Sequence, residues 1–314
     1  MSTQLLNVEG LTKTFGGKNV LDNLSFHVNK GEILGILGPN GAGKSTAFNI
    51  IAGLLEADSG KVFFSDNDIN KDKKIYKSSI GVVPQEISLY EGMTILENLR
   101  FLGKLYGVRG KKLKERVEEL IGEVKLDDRA QTEIAKLSGG MKRRINIAAA
   151  IVHRPKLVIM DEPTVGIDPQ SRGLVWDIIN ELKEKGMSII ITSHYVEEIE
   201  RLSDRVLIVN AGKVIADGTV NHIIDKYCKS RIYVIEFYTI TGRIIKDLEA
   251  VPGVESVEVK ENTVKIITNK DLNIIERIVK ITTENKAEIK NLDIKKPGLE
   301  DVFFYFTGKG LKEP

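Results

Sequence analysis

Cysteine is nearly absent from this chain: Cys228 is the single thiol among 314 residues. No disulfide can form within the chain, which suits a reducing compartment. No local constellation activates Cys228, so the residue reads as incidental. Excess charge is lacking too. Lys and Arg number 46 against 44 Asp and Glu, a net of +2, so nothing overall argues for a nucleic-acid partner. No apolar run approaches the ~20 residues of a membrane helix; Ser188 to Thr192 is a short buried strand. The opening Met1-Ser2-Thr3-Gln4 has no basic segment leading into an apolar core, so no secretory leader is expected. If the chain serves a membrane process, another chain supplies the membrane part. With 42% hydrophobic and 29% charged residues the composition is that of an ordinary globular protein, long enough for two domains.

What is present is organised around Gly35 to Thr46, G-I-L-G-P-N-G-A-G-K-S-T. Within it, Gly38 to Ser45 fits G-x-x-x-x-G-K-S, the Walker A or P-loop pattern. The candidate ATP-binding run is Gly38, Pro39, Asn40, Gly41, Ala42, Gly43, Lys44, Ser45 and Thr46. Its glycines let the backbone turn where a Cβ would clash, so consecutive N–H groups point inward at phosphate oxygens. Lys44 is expected between the outer phosphates and the Ser45 hydroxyl on Mg²⁺. Glu32 to Leu37 reads as a buried strand entering the loop. Lys44 to Leu55 reads as a helix with its N-terminus facing the anion.

Elsewhere in the first part of the chain, Leu5 to Leu11 and Asn19 to Val28 read as strands around the Gly16-Gly17 turn. Gly60 to Phe64 is a further strand, followed by a polar turn over Ser65 to Asp68, and Ile80 to Pro84 is a short strand ending at Gln85. Thr94 to Val124 carries apolar residues at helical spacing throughout, and its charge-dense part, Lys111 to Glu119, reads as a solvated face. Ser138 resembles an N-cap for a helix over Met141 to His153. Leu157 to Met160 is a continuous apolar run closing in Asp161-Glu162, as a central parallel strand reads. Gln170 to Lys185 and Tyr195 to Leu202 are helical, flanking the Ser188 to Thr192 strand. Arg205 to Asn210 and Lys213 to Ala216 are strands around Ala211-Gly212. The alternation predicts an α/β layered core over residues 1–225.

Past Asp225 the order changes to β-α-β-β-α-β. The strands are Arg231 to Tyr238, Val254 to Lys260, Val264 to Thr268 and Ala287 to Asp293; the helices are Gly242 to Glu249 and Asp271 to Thr283. This is a ferredoxin-like, split βαβ arrangement, predicting a smaller α+β domain over residues 226–314. Its final helix, Leu299 to Phe306, holds Phe303, Phe304, Tyr305 and Phe306, aromatics expected to dock the helix on the protein.

The other chemistry-bearing residues fall in a definite order. Asp161 closes an apolar strand at the Walker B position, where a carboxylate holds Mg²⁺ through its water shell. Glu162, on the next residue, can face an attacking water and accept its proton. With Gln85, Leu137-Ser138-Gly139-Gly140-Met141, Gly166-Ile167-Asp168 and His194 added, the stretch Leu5 to Gly218 resembles the nucleotide-binding subunit of an ABC transporter. The resemblance names these motifs the Q-loop, the signature, the D-loop and the H-loop.

That resemblance implies a P-loop NTPase domain with a helical subdomain and two subunits paired head to tail, with ATP sandwiched between one P-loop and the opposite signature. Ser138, Gly139 and Gly140 then act in trans on the γ-phosphate. Gln85 senses Mg²⁺ and the γ-phosphate and relays to the membrane partner, His194 bonds the γ-phosphate and orients Glu162, and Phe15 stacks on adenine. Departures are Met141, where the signature usually has glutamine, and Phe15, where a tyrosine is commoner; stacking needs only the ring. Pro297 to Phe303 resembles the tail of ABC-2-type export ATPases. The implied function is an ATPase, peripheral on the cytoplasmic face of the membrane, working as a homodimer with ATP and Mg²⁺ to drive a separately encoded integral membrane permease. Soluble ABC ATPases form a competing class, but repair members carry a long coiled-coil insertion and translation members usually two nucleotide domains per chain, both absent here. A sensor role for the second domain rests on fold analogy alone.

Overall fold

A computed structural model describes residues 4–228, 230–269, 272–295 and 298–307. The chain divides into two compact units, Met1–Val220 and Asn221–Pro314. In the first, β1 (Gln4–Phe15) and β2 (Lys18–Asn29) form a hairpin and β3 (Ile33–Leu37) runs into α1 (Lys44–Ile51). Then come β4 (Ser59–Phe64), β5 (Asn67–Asp68), α2 (Lys73–Ser79) and β6 (Ile80–Val83). Three helices follow, α3 (Ile95–Leu105), α4 (Gly110–Glu123) and α5 (Gly139–Ala150). The unit closes with β7 (Leu157–Asp161), α6 (Pro169–Glu184), β8 (Ser188–Ser193), α7 (Val196–Leu202), β9 (Arg205–Asn210) and β10 (Lys213–Gly218).

The main sheet has the order β10-β9-β3-β8-β7-β6. All its neighbours are parallel except the β9–β10 edge pair. Every residue of β3, β7 and β8 is buried, as parallel strands covered on both faces require. Register matters most for function. Leu37 lies beside Ser193, and Asp161 beside Thr192, so β3, β7 and β8 end together. The P-loop, Glu162 and His194 each follow one of these ends, the place where open α/β sheets bind ligands. A smaller antiparallel sheet, β2-β1-β4-β5, shares a continuous apolar core with α1 and the main sheet, through Leu6, Leu21, Phe48, Ile51 and Ile159 among others.

Several boundaries differ from those predicted. The helical pattern over Thr94 to Val124 is broken into α3 and α4. Thr94 opens α3 with a reciprocal capping box to Glu97; Gly107, at φ +82°, turns the chain back, and Val108 N–H bonds the Gly103 carbonyl at 2.9 Å. Apolar spacing runs through the turn because both helices bury their stripes in one core, so periodicity alone does not see the break. Helix α1 stops at Ile51, not Leu55, since the N–H groups of Leu54 and Leu55 both fold back onto the Asn49 carbonyl. The turn at Ser65 to Asp68 also contains the two-residue strand β5, paired with Phe63 and Phe64. Helix α2, absent from the sequence reading, buries only Tyr76 but is capped by Asp72.

In α3, Asn98 is fully buried. Its Nδ2 donates to the carbonyls of Tyr90 (3.0 Å) and Thr94 (3.1 Å), and its Oδ1 accepts from Tyr90 N–H (2.9 Å). The segment before α3 is thus pinned by one side chain.

The second unit holds α8 (Val220–Tyr227), β11 (Ser230–Phe237), α9 (Gly242–Glu249), β12 (Val254–Lys260), β13 (Thr263–Asn269), α10 (Ile275–Glu284), β14 (Ile289–Lys295) and α11 (Leu299–Thr307). Its sheet is antiparallel in the order β12-β13-β11-β14, the split βαβ topology. Tyr233, Ile235, Phe237, Val264 and Ile266 meet Ile244, Leu248 and Ile278 of the helices in its core. Helix α8 was missed by sequence because it buries a single residue, Ile223. Asp271 and Pro297 lie outside the described residues. Helix α10 begins at Ile275, and β14 starts at Ile289 and not Ala287. In α11, Leu299, Val302 and Phe303 are buried while Phe304 is 57% exposed, so an i, i+3, i+4 face docks the helix and not its aromatics as a set; the Tyr305 side chain lies outside the described set. Burial and the Asp301 carboxylate push the Cys228 thiol up to about 11, which keeps it protonated and unreactive at neutral pH.

Candidate nucleotide site

Lys44 is the first residue of α1, yet its side chain is buried. Its Nζ donates to the carbonyls of Gly38 (2.7 Å) and Pro39 (3.2 Å), so the P-loop closes on its own ammonium. Burial lowers the Lys44 pKa, and the Glu162 and Asp161 carboxylates oppose that shift. Gly43 sits at φ +99°, and a Cβ there would lie 2.6 Å from the Val20 carbonyl oxygen and 2.8 Å from a Leu21 methyl. The same oxygen would meet a Cβ on Gly212 at 2.5 Å. Gly212 in turn donates its N–H to the Ala42 carbonyl (3.0 Å) and accepts from Asp22 N–H (3.1 Å). The loop is thus backed by main chain on two sides.

Around it opens a cleft of about 380 Å³ lined by Val20, Asn40, Gly41, Gly43, Lys44, Ser45, Thr46, Gln85, Glu162, Val165 and His194. Residues far apart in sequence converge here, because the ends of β3, β6, β7 and β8 are level. Glu162 adopts φ +47°, a conformation uncommon for a non-glycine residue and concentrated at functional sites. Two bonds from its N–H hold it there, to Thr192 O (3.0 Å) and Thr192 Oγ1 (3.2 Å). The Thr192 hydroxyl donates onward to the Asp161 carboxylate. His194 Nδ1 lies 3.1 Å from Glu162 Oε2, but out of line for an N–H···O bond, and that nitrogen has no hydrogen-bond partner.

Other sequence-nominated residues are not in the cleft. Gly38, Pro39 and Ala42 form the loop's rear. Asp161 is buried behind Glu162 on Thr192. Phe15 ends β1 with its ring half exposed and the Lys13 ammonium 5.6 Å from its centroid. Ser138 caps α5, accepting from Met141 N–H at 3.3 Å. Gly140 packs on α6: a Cβ there would lie 2.1 Å from Ser171 Oγ. Asp168 caps α6, accepting from Ser171 N–H at 2.9 Å. Signature and D-loop therefore meet at Ser171, apart from the P-loop of the same chain.

Sequence reasoning passed over the residues that hold these loops. Arg143 of α5 donates to the carbonyls of Pro84 (2.8 Å) and Gln85, and Asn146 Oδ1 accepts from Ser88 N–H (3.3 Å). Both are buried. Their available signal is a pair of polar residues three apart within a helix whose other positions are largely apolar. Among the described residues no group of three or more His, Cys, Asp or Glu could hold a metal unaided. The Ser45 hydroxyl in the cleft and the Asp161 carboxylate behind it fit a hard cation held with a nucleotide, such as Mg²⁺, which takes its other ligands from waters and phosphate oxygens.

Residues 21–165 match the family described as ABC transporter, and residues 218–305 match the C-terminal domain of DrrA1-3-like ATP-binding proteins. The linearmycin resistance ATP-binding protein LnrL of Bacillus subtilis is 40% identical over 98% of this chain and 100% of its own length. The Nod factor export ATP-binding protein I of Rhizobium sp. (strain N33) is 36% identical, covering all of both chains. Among solved structures, an ATP-binding subunit of an ABC transporter superposes with a TM-score of 0.65 at 33% identity, over 71% of this chain and 93% of that one. An ATP-binding cassette in its ADP conformation gives 0.64 at 30%, over 72% and 95%. With its P-loop, Gln85, Glu162 and His194 gathered at one end of the sheet, and with full-length relatives of this kind, the chain belongs to the ATP-binding subunits of ABC transporters, in the group of ABC-2-type exporter ATPases.

Proposed function

We propose that this ATPase hydrolyses ATP at a composite site formed by two copies of the chain, each giving its P-loop cleft to the other's signature. One observation carries the reading: the cleft gathers Lys44, Ser45, Gln85, Glu162 and His194, while Ser138, Gly139 and Gly140 lie outside it. A second copy supplies the missing wall, and the N-terminus of α5, capped by Ser138, suits an anion. Phe15 stacks on adenine, its exposed ring free on one face.

Backbone N–H groups of Asn40 to Thr46 and the Lys44 ammonium hold the phosphates. Ser45, Gln85 and, through water, Asp161 would hold Mg²⁺, which would supply charge neutralisation to the phosphate oxygens. Glu162 accepts a proton from water as the water oxygen bonds to the γ-phosphorus; the bond from that phosphorus to the bridging oxygen breaks, and ADP leaves with the electron pair. His194 orients Glu162 and donates to the γ-phosphate. Asp168, at the D-loop, ties the start of α6 to the signature through Ser171.

An ABC ATP-binding subunit works with a separate membrane permease, and among the described residues no helix is long and apolar enough to cross a membrane. We place the subunit on the cytoplasmic face, under an export permease that docks along Gln85 to Leu99. Tyr90 is half exposed there, resting edge-on against Phe101 (5.0 Å between centroids), and Met93 lies close by in sequence. Arg143, Asn146 and Asn98 bond this segment's backbone, so displacement of one end is felt at Gln85. The domain division we propose is residues 1–225 for ATP binding and 226–314 as an accessory unit with a dimerising role. Linearmycin resistance and Nod factor export belong to the relatives that bear those names; the transported compound is chosen by the permease. Affinity-tagged Glu162→Gln, extracted gently with Mg-ATP, is expected to co-purify a polytopic membrane protein that crosslinks through Tyr90 or Met93. Reproducible recovery of a soluble dimer alone moves the reading to a soluble ABC ATPase, and crosslinks confined to residues 226–314 contradict the docking segment.

A further inference from the structure

A buried carboxylate with no part in the chemistry above sits just behind the cleft. Glu198 of α7 is 1% exposed. Its Oε1 accepts from the Trp176 indole N–H of α6 at 3.2 Å. The hydroxyls of Ser193 and Thr164 and the guanidinium of Arg172 act on the same carboxyl. Thr164 belongs to the loop that begins at Glu162; Ser193 precedes His194; Arg172 and Trp176 belong to the helix that Asp168 caps. Arg143, which bonds the backbone at Gln85, also feels the Glu198 charge. The loops that present Glu162 and His194 to the cleft, and the helix that Asp168 caps, thus meet at one side chain.

The arrangement is costly for mere packing. Burial works against the charged form of Glu198. Glu198 Oε2 and Thr164 Oγ1 both lack an aligned hydrogen bond, and the buried Arg172 Nε is unpartnered as well. Apolar side chains of similar volume would fill this space with less penalty. Buried polar groups of this kind fix geometry: they hold neighbouring loops in one relative placement.

We propose that Glu198 is a positioning residue for ATP hydrolysis, holding the Glu162–Thr164 loop, the Ser193–His194 turn and the first turns of α6 in the one register that aims Glu162 and His194 at the same point. The proposal rests on the reading of Glu162 as the group that activates water. Arg172 stacks on the Tyr195 ring (4.9 Å), so the same cluster steadies the residue after His194.

The test compares Glu198→Gln and Trp176→Phe with the wild type and with Glu162→Gln. Glu198→Gln keeps shape and an acceptor for the indole; Trp176→Phe keeps bulk and removes the donor. Both are expected to fold, to bind ATP within about twofold of wild-type affinity and to lose about tenfold or more in kcat with KM little changed. Combined with Glu162→Gln, Glu198→Gln is expected to add little further loss, since residues acting as a unit are non-additive. Wild-type kcat in both folded variants, or a lower Tm with kcat per folded molecule unchanged, overturns the positioning role and leaves Glu198 a packing residue. Wild-type turnover in Glu162→Gln instead overturns the underlying reading of the site, so the two failures are separable.

Discussion

Glu162→Gln is expected to lower ATP turnover by about 10²–10⁴-fold, the usual share of a positioned general base, while Mg-ATP binding survives. The substitution is close to isosteric, and the residue's main-chain position depends on N–H bonds to Thr192, which glutamine keeps. What is lost is the proton acceptor. The amide also faces His194 Nδ1, which lies 3.1 Å from Oε2, without the carboxylate charge. Binding without turnover should hold the closed pair together, so size-exclusion chromatography with light scattering is expected to show an ATP- and Mg²⁺-dependent dimer. Steady-state phosphate release and the elution profile are read on the same preparation. Residual turnover near wild type removes Glu162 from the chemistry, and monomers alone with Mg-ATP remove the paired site.

Lys44→Ala is the second large effect. Among the described residues, Lys44 is the one Lys or Arg lining the cleft, and its ammonium is already desolvated, so its attraction for phosphate is little screened. Alanine removes that charge and also the bonds to the Gly38 and Pro39 carbonyls, which then stay buried or reopen the loop. A charge-assisted bond contributes ~1.5–3 kcal/mol, so ATP affinity is expected to fall by about ten- to a hundredfold and turnover to vanish. Titration calorimetry with Mg-ATP checks the first and phosphate release the second. The fold should persist, because the apolar side of α1, through Ala47, Phe48, Ile50 and Ile51, is untouched. Unchanged binding and turnover would sink the P-loop assignment.

How much of this was legible in the sequence depends on how local the cause was. The P-loop, the apolar strand ending in Asp161 and the serine cap at Ser138 could be read directly, since spacing along the chain determines each. The second unit's strand and helix order could be read from alternation and helical spacing. The level ends of β3, β7 and β8 could not, because register between strands distant in sequence comes from packing. For the same reason Arg143, Asn146 and Glu198 escaped notice: each looks like an ordinary polar helix residue until its neighbours are known. The turn at Gly107 escaped because two helices sharing one core keep a common apolar rhythm across their junction. Gly140 was assigned a purpose toward phosphate, and the structure adds a nearer one in its contact with Ser171.

The Val20 carbonyl oxygen, lodged against both Gly43 and Gly212, links the fate of two distant codons. Neither position tolerates a side chain unless β2 gives way, and β2 also carries Val20 and Leu21 against the loop. Gly212 is not among the residues that line the cleft, yet an allele that alters it disturbs the phosphate loop through its bond to Ala42. In a screen for lost transport, mutants at Gly212 therefore resemble those at Gly43. Suppressors of either are to be sought in the β1–β2 hairpin, where a small backward shift of one strand relieves both.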